Sequence, residues 1–332
     1  MNSIQIGDKA GLDNLNLVQT DTPAPAAGQV LVRWHASSLN FHDYLVAKGA
    51  IPVPAERIPM SDGAGIIEAI GEGVSKWQVG DKVMSLFFPN WHDGIPNLEK
   101  TSAISGETAD GFATEYSLQS ELSLTSIPQG YSYAQAATLP CAALTAWRGL
   151  VVEGNIKAGD TVLVEGTGGM SIFALQIAKA AGAYVYATTS SNEKIQRLKD
   201  LGADEVINYK EDERWGRTIY KKSGGVDHVL DVGGTSTIAQ SIEAVAIYGN
   251  ISLIGILGGR EASMIMPKLF FKHVHLNGLA VGSRAMQDDM VNAINVSGWK
   301  PVVDKSFTLA ELGDAFKYQE SGNHFGKIVV EF

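Results

Sequence analysis

The spacing of apolar residues changes character near residue 132. Over residues 1–125 the apolar runs are short and broken by glycine and proline, which predicts a β-rich, turn-rich region. In 29–35, Val30 and Val32 alternate with Leu31 and Arg33, the pattern of a strand at least half buried. The run Ser37-Ser38-Leu39-Asn40-Phe41-His42-Asp43-Tyr44 then leads into a short helix through Lys48. Pro52, Pro54 and Pro59 mark a rigid loop, and 61–71 and 80–83 read as short strands bent by glycine, as in a small barrel. Residues 88–107 have no regular period and predict a surface loop, with another strand at 111–117.

Beyond residue 132 strands and helices alternate. A helix is predicted over 133–152, then strands at 161–165, 183–187, 205–207, 226–232 and 250–256, separated by helices at 172–181, 195–201, 212–222 and 236–246. Such alternation predicts a doubly wound parallel sheet, an α/β fold. The remaining pattern is strand-like at 273–281, helical at 285–295 and 309–320, and strand-like at 327–332. These segments are expected to return to the first domain, in part extending the second domain's sheet. The expected division is therefore 1–125, 126–266 and 267–332.

One stretch of the second region carries chemistry. Residues 161–165 form an apolar, β-branched run, followed at once by Gly166-Thr167-Gly168-Gly169-Met170-Ser171 and then by helical spacing. Strand, glycine turn, helix and strand make the unit in which a pyrophosphate meets a helix N-terminus. Gly166 permits the tight turn and Gly168 the close approach of backbone to phosphate, while Ser171 holds the place of the third fingerprint glycine. It either widens the helix–strand contact or adds a hydroxyl near the pyrophosphate.

Bulk properties narrow the choice. The 332 residues exceed one ordinary core, and 45% hydrophobic with 19% charged residues is a globular composition. A net charge of −10 argues against nucleic acid or an anionic membrane as partner. The single cysteine, Cys141, excludes an internal disulfide. No apolar run approaches the ~20 residues of a membrane span, and residues 1–11 lack the basic-then-apolar pattern of a secretory signal. A cytoplasmic protein is expected.

The stretches 37–49, 58–80, 139–147 and 159–176, taken in that order, resemble the medium-chain dehydrogenase/reductase superfamily, and within it the zinc-free, quinone-oxidoreductase-like branch. The resemblance implies a GroES-like β-rich catalytic domain plus a Rossmann dinucleotide-binding domain, with the site in the cleft between them. It also implies a homodimer formed by continuing the Rossmann sheet, with 274–281 as the edge strand; an ordinary internal strand is the alternative reading. On the matching stretches the first catalytic-zinc cysteine falls on Asn40 and the zinc histidine on Ser61, with Asp62 beside it, and only the last cysteine is kept, as Cys141. Asn and Ser are poor zinc ligands, so no metal is expected. The loop 88–107 also lacks the four cysteines of the superfamily's structural zinc.

An NAD site needs a carboxylate at the end of the second strand. Here that place reads Thr188-Thr189-Ser190-Ser191, with Lys194 following. Ser190, Ser191 and Lys194 suit a 2′-phosphate, which favours NADPH, although either serine also reads as a helix cap. Tyr209 matches a position lining the adenine-ribose pocket in relatives. Further cofactor contacts are expected at Thr145, at Gly255-Ile256-Leu257 ending the sixth Rossmann-type strand, and at Val281 and Ser283, and the resemblance implies Asn323 and Lys327 close to where relatives approach the cofactor phosphates.

Hydride added to an enone or quinone leaves a delocalised anion that a few hydrogen-bond donors can stabilise, whereas a simple ketone wants a Lewis acid. The donors cluster at Asn40, His42 and Tyr44: Asn40 facing the nicotinamide, and His42 or Tyr44 supplying the proton, unless it comes from water. The expected function is NADPH-dependent, zinc-free hydride transfer to a conjugated carbonyl. An alcohol dehydrogenase or carbonyl reductase of the same superfamily, and a cofactor-binding sensor with little turnover, are the competing readings.

Overall fold

The structure, a computed structural model, describes residues 1–332. It divides into two compact units, Met1–Leu144 with Val281–Phe332, and Thr145–Ala280.

The first unit begins with an antiparallel pair, β1 (Asn2–Ile6) and β2 (Leu15–Gln19). β3 (Gln29–Ser38) follows, longer than the predicted strand and buried along most of its length. Then come α1 (Phe41–Lys48), β4 (Ala64–Ile70), β5 (Lys82–Met84), β6 (Tyr116–Ser120) and β7 (Thr125–Ser126). No strand or helix intervenes between β5 and β6, as the irregular pattern predicts. That loop is anchored rather than loose, because Phe87, Phe88 and Trp91 are buried while Ile95 and Leu98 project into solvent. The single helix expected over 133–152 is instead α2 (Tyr133–Ala136) and α3 (Leu144–Trp147), with π-helical turns at Leu139–Ala143 and Arg148–Val152. Pro140, which has no amide hydrogen to give, lies in the first of these wide turns.

The second unit contains β8 (Thr161–Glu165), α4 (Gly169–Ala180), β9 (Tyr184–Thr189), α5 (Glu193–Asp200), β10 (Glu205–Asn208) and α6 (Trp215–Ser223). It continues with β11 (Val226–Asp231), α7 (Ile238–Ala244), β12 (Val245–Leu253), α8 (Met266–Phe271) and β13 (His275–Gly278). The strands pair in parallel in the order β10-β9-β8-β11-β12-β13. β8 and β11 are adjacent here although β9 and β10 separate them in sequence, so the order in which the parallel strands are added reverses between them. Ligands of doubly wound sheets bind beyond the carboxyl ends of the strands at this switch point. β8 and β11 are buried over nearly their whole length; β8 reads as an apolar run, whereas β11 also carries Asp227, His228 and Asp231. β13 is shorter than the predicted strand and forms the sheet's edge. Ile247, Tyr248, Phe270 and Phe271 of this unit are exposed.

The chain then returns to the first unit through α9 (Arg284–Ser297), β14 (Val303–Thr308), α10 (Leu312–Glu320) and β15 (Lys327–Glu331). β14, which the sequence pattern did not predict, pairs in parallel with β15, and β15 lies antiparallel to β3. The sheet order is β14-β15-β3-β4-β5-β7, with β6 also on β3. The unit boundaries fall at 144/145 and 280/281, not at 125/126 and 266/267. The reason is packing: α2 lies on β3, β4 and β15, while β13 stays with β12. No helix is long and apolar enough to cross a membrane.

Candidate active site

β3 carries the chain straight into Asn40, the N-cap of α1, whose backbone amide donates to the Asp43 carboxylate at 2.9 Å. Asp43 therefore braces the helix start, and the Asn40 side chain is left to make other bonds. Its amide nitrogen donates to Ser61 Oγ at 3.1 Å and to Asp62 Oδ2 at 2.8 Å. Its oxygen accepts from Lys327 Nζ at 2.6 Å. The pairing of β15 with β3 brings Lys327 here, where its ammonium also donates to the Leu39 carbonyl at 2.7 Å and lies 3.7 Å from Asp62 Oδ2. Ser38 Oγ donates to the same Asp62 oxygen at 2.8 Å. The cluster is buried: Asp62 has no exposed surface and Lys327 is 3% exposed.

Burial pushes the Asp62 carboxyl up to about 6, against the pull of Lys327. Cys141 feels the same charges; burial, and then the Asp62 charge, push its thiol well above the ordinary cysteine range.

Two corrections follow for the expected donors. Asn40 does not offer an amide hydrogen to substrate, because both are engaged within the cluster. Tyr44 is not part of the cluster: its ring packs in the core with Ile4, Leu39 and Met60, and its hydroxyl donates to Glu320 at 2.5 Å and accepts from Lys48 at 2.6 Å. His42 sits differently. Its Nε2 lies 2.7 Å from Glu107 Oε2, its buried Nδ1 lies 3.6 Å from Asp43 Oδ1, and its ring packs edge-on against Phe87. Burial disfavours the imidazolium, but Asp43 and Glu107 outweigh it, so the net shift is upward.

In the second unit, β8 ends in a turn that Gly166 makes possible by taking φ 78°, a left-handed backbone. Gly168 is the N-cap of α4, and no side chain bonds the first turn. A Cβ at Gly166 or Gly168 would meet nothing within 4 Å. Gly169 and Met170 open the helix, and no side chain caps its first turn. Ser171 is buried, and its hydroxyl donates back to the Glu165 carbonyl at 2.6 Å. It ties the turn to β8 rather than presenting a hydroxyl to a phosphate.

Other expected cofactor residues gather around the same strand ends. Lys194 Nζ reaches Thr167 Oγ1 in the turn, at 3.4 Å. Asn192, not Ser190 or Ser191, occupies the N-cap of α5, so neither serine is a cap. The backbone amide of Tyr209 donates to the Thr189 carbonyl at 3.0 Å, which sets this half-exposed ring beside the end of β9. Gly255, Ile256 and Leu257 follow β12, which is the fifth strand of this sheet in chain order and not the sixth. Their loop bonds to Asp231 and Val232 at the end of β11 and leaves Ile256 and Leu257 exposed. Thr145, in α3, is buried.

The rest lie in the first unit. Val281 is buried and holds a left-handed backbone (φ 44°), which costs a β-branched residue about 1–3 kcal/mol. Ser283 caps α9, accepting from the Met286 amide at 3.3 Å. Asn323 sits in an exposed turn before β15. Lys327 is corrected from phosphate ligand to anchor of the Asn40–Asp62 cluster, since its ammonium is buried and bonded there.

Residues 26–129 match a family model described as the alcohol dehydrogenase GroES-like domain, and residues 169–296 one described as zinc-binding dehydrogenase. The chain is 41% identical over 333 residues to a zinc-type alcohol dehydrogenase-like protein of Schizosaccharomyces pombe, a match spanning 97% of this chain and 96% of that protein. The chain belongs to the medium-chain dehydrogenase/reductase family. This dehydrogenase/reductase is also 30% identical to a chloroplast envelope quinone oxidoreductase homolog of Arabidopsis thaliana, over 98% of this chain and 95% of that one. Its structure superposes on that of a putative alcohol dehydrogenase from Sinorhizobium meliloti with a TM-score of 0.93 and 38% identity, covering 100% and 99% of the two chains. The protein is thus an oxidoreductase with the GroES-like and Rossmann-like domains of the family.

The family's metal and its cofactor fare differently against these residues. The open glycine turn and uncapped α4 fit a dinucleotide pyrophosphate. The matched zinc positions do not fit zinc: an amide, a hydroxyl and one protonated thiol replace the usual donors, and a lysine ammonium is already bonded to the amide oxygen. No group of three His, Cys, Asp or Glu side chains is placed to hold a metal ion.

Proposed function

We propose that this dehydrogenase/reductase is an NADPH-dependent, zinc-independent reductase of conjugated carbonyls, enones or quinones. The observation that carries the reading is the Lys327 ammonium bonded to Asn40 and paired with Asp62, a fixed cation held among the residues matched to the zinc ligands. Without a Lewis acid, the substrate best served is one whose reduced form spreads its own charge. When bound, the nicotinamide supplies the hydride. Gly166, Gly168, Gly169 and Met170 would receive the pyrophosphate, with Thr145, Tyr209 and the 255–257 loop as further contacts. His42, whose imidazolium Asp43 and Glu107 favour, would give a proton to the reduced substrate. Asn40 acts as a positioning residue.

NADPH-linked rates with an enone, a quinone and a saturated ketone test this. Turnover of the first two and little of the third is expected. Equal turnover of the ketone would favour the alcohol dehydrogenase reading, and no turnover despite tight binding the sensor reading.

The choice of NADPH rests on the absence of a carboxylate at Thr188–Thr189–Ser190–Ser191 and on Lys194 reaching back to the turn. Lys194→Ala is expected to weaken NADPH about 10-fold, the worth of one charged hydrogen bond, and NADH hardly at all. Equal losses for the two cofactors would remove the 2′-phosphate role. The exposed Ile247, Tyr248, Phe270 and Phe271 and the open edge strand β13 suit a second copy of the chain. A monomer mass by light scattering at micromolar concentration would contradict that assignment.

A further inference from the structure

Two carboxylates meet at the switch point of the parallel sheet. Glu165 is the last residue of β8 and Asp231 the last of β11, and both are buried. One hydroxyl bridges them: Ser241 Oγ, on α7, lies 2.7 Å from Glu165 Oε1 and 2.7 Å from Asp231 Oδ2. A serine hydroxyl has one hydrogen and can donate to only one of two acceptors. The other contact of that length needs a hydrogen from the carboxyl side.

The remaining bonds say which carboxyl holds it. Asp231 Oδ1 accepts from the Gly234 amide at 2.8 Å and from Thr237 Oγ1 at 2.8 Å; burial pushes this carboxyl up as well, but these two bonds, which Glu165 lacks at this length, favour Asp231 as the ionised partner. Glu165 Oε2 accepts from the Val232 amide at a longer 3.3 Å. From β11 the charge acting on Glu165 is that of Asp231; from α7 and the loop after β11, Ser241, Thr237 and the Val232 amide face it as uncharged donors. Burial first, and then the Asp231 charge, push the Glu165 carboxyl well above the carboxylate range.

We propose that Glu165 is kept as a neutral carboxylic acid, donating through Ser241 to an ionised Asp231, and that in this form it positions the glycine turn for an anionic cofactor. The inference rests on the reading that this turn binds a dinucleotide. As an acid, Glu165 laces the ends of β8, β11 and α7 together directly before Gly166. It also keeps a second negative charge away from the place where the pyrophosphate approaches. Ionising Glu165 sets two anions on one hydroxyl, loosens the lacing and repels the cofactor. Glu165 is a positioning residue, since it acts through the turn.

The sign of the pH effect is fixed by the direction of the shift. An unfolded Glu loses its proton near pH 4.3, while the folded one keeps it into the neutral range or beyond. The stability this contributes is complete at acid pH and is lost as pH rises through the folded value. Glu165→Gln mimics the neutral acid, because its amide can donate to Ser241, and it cannot ionise. Without cofactor, the unfolding constant of the native protein relative to Glu165→Gln is expected to grow up to about tenfold per pH unit from about pH 5 until Glu165 ionises in the folded chain. NADPH titrations at about pH 6 and about pH 9.5 are expected to show the native protein losing about tenfold more affinity than Glu165→Gln. An infrared band of a protonated carboxyl at neutral pH, absent from the variant, is expected as well.

Parallel stability curves together with an unchanged affinity ratio would overturn the proposal. Failure of both proteins to bind NADPH at any pH would overturn the dinucleotide reading instead, while the cofactor-free stability curves would still decide the protonation of Glu165. Should the variant not fold, the carboxyl band of the native protein followed against pH decides: a band already lost below neutral pH refutes the neutral acid.

Discussion

Lys327→Met is expected to destabilise the first unit by about 3–5 kcal/mol at about pH 8, the cost of leaving a buried charge without its partner. The ammonium is 3% exposed and bonds the Leu39 carbonyl and the Asn40 amide oxygen, so nothing from solvent replaces it. Asp62, fully buried, is then left facing Ser38 and Asn40 alone. The loss depends on pH. In the native protein burial holds the Asp62 carboxyl at about 6, above its ordinary 3.8, so its contribution is present at acid pH and lost as pH rises through about 6. Without Lys327 the carboxyl keeps its proton to higher pH, and the decline continues where the native curve has levelled. The gap between the two proteins should therefore widen above about pH 6. Urea unfolding at about pH 5.5 and about pH 8 measures it. The double variant Lys327→Met/Asp62→Asn removes both charges and should recover most of the loss. A loss equal at the two pH values, or a double variant no better than the single one, would show that the pair does not act as described.

Gly168→Ala separates folding from binding in the second unit. The backbone at Gly168 is extended (φ −73°, ψ 171°), a conformation alanine adopts freely, and the added Cβ meets nothing within 4 Å. Unfolding should shift by no more than about 1 kcal/mol, because the lower entropy of the unfolded chain is opposed by alanine's poorer fit at the N-cap. NADPH affinity should nevertheless fall about 100-fold, because the methyl stands where the pyrophosphate must approach the backbone and costs about one to two charge-assisted hydrogen bonds. Calorimetric titration and thermal unfolding of the same preparation read both quantities. Unchanged affinity would mean that the turn serves the fold only.

The second unit was legible in the sequence because its signals are local. β8, the glycine turn, α4 and β9 lie within about thirty residues, and strands buried on both faces announce themselves as apolar runs. The missing carboxylate after β9 and the replaced ligands at Asn40 and Ser61 were equally readable, being single positions in recognisable stretches. What sequence reasoning lost was long-range pairing. Lys327 meets Asn40 across 287 residues, and Tyr44 meets Glu320 across 276; the return of the C-terminal segment to the first unit was readable, but its pairing with β3 was not. Helical periodicity also places Tyr44 two positions from His42 without saying that its ring enters the core. The unit boundary was missed because the period changes where α2 begins, whereas α2 packs with the strands before it. Glu165 did carry a signal that went unused: a carboxylate ending a strand buried on both faces needs a partner, and the strand that supplies it lies 66 residues further on.

The central claim is hydride transfer to a conjugated carbonyl without zinc. Its most direct test is the NADPH-linked rate with a conjugated enone, measured on protein stripped by a strong chelator and again after zinc is added back. The account predicts the same rate before stripping, after it and with zinc restored. A rate abolished by the chelator and recovered with about one zinc per chain would contradict it.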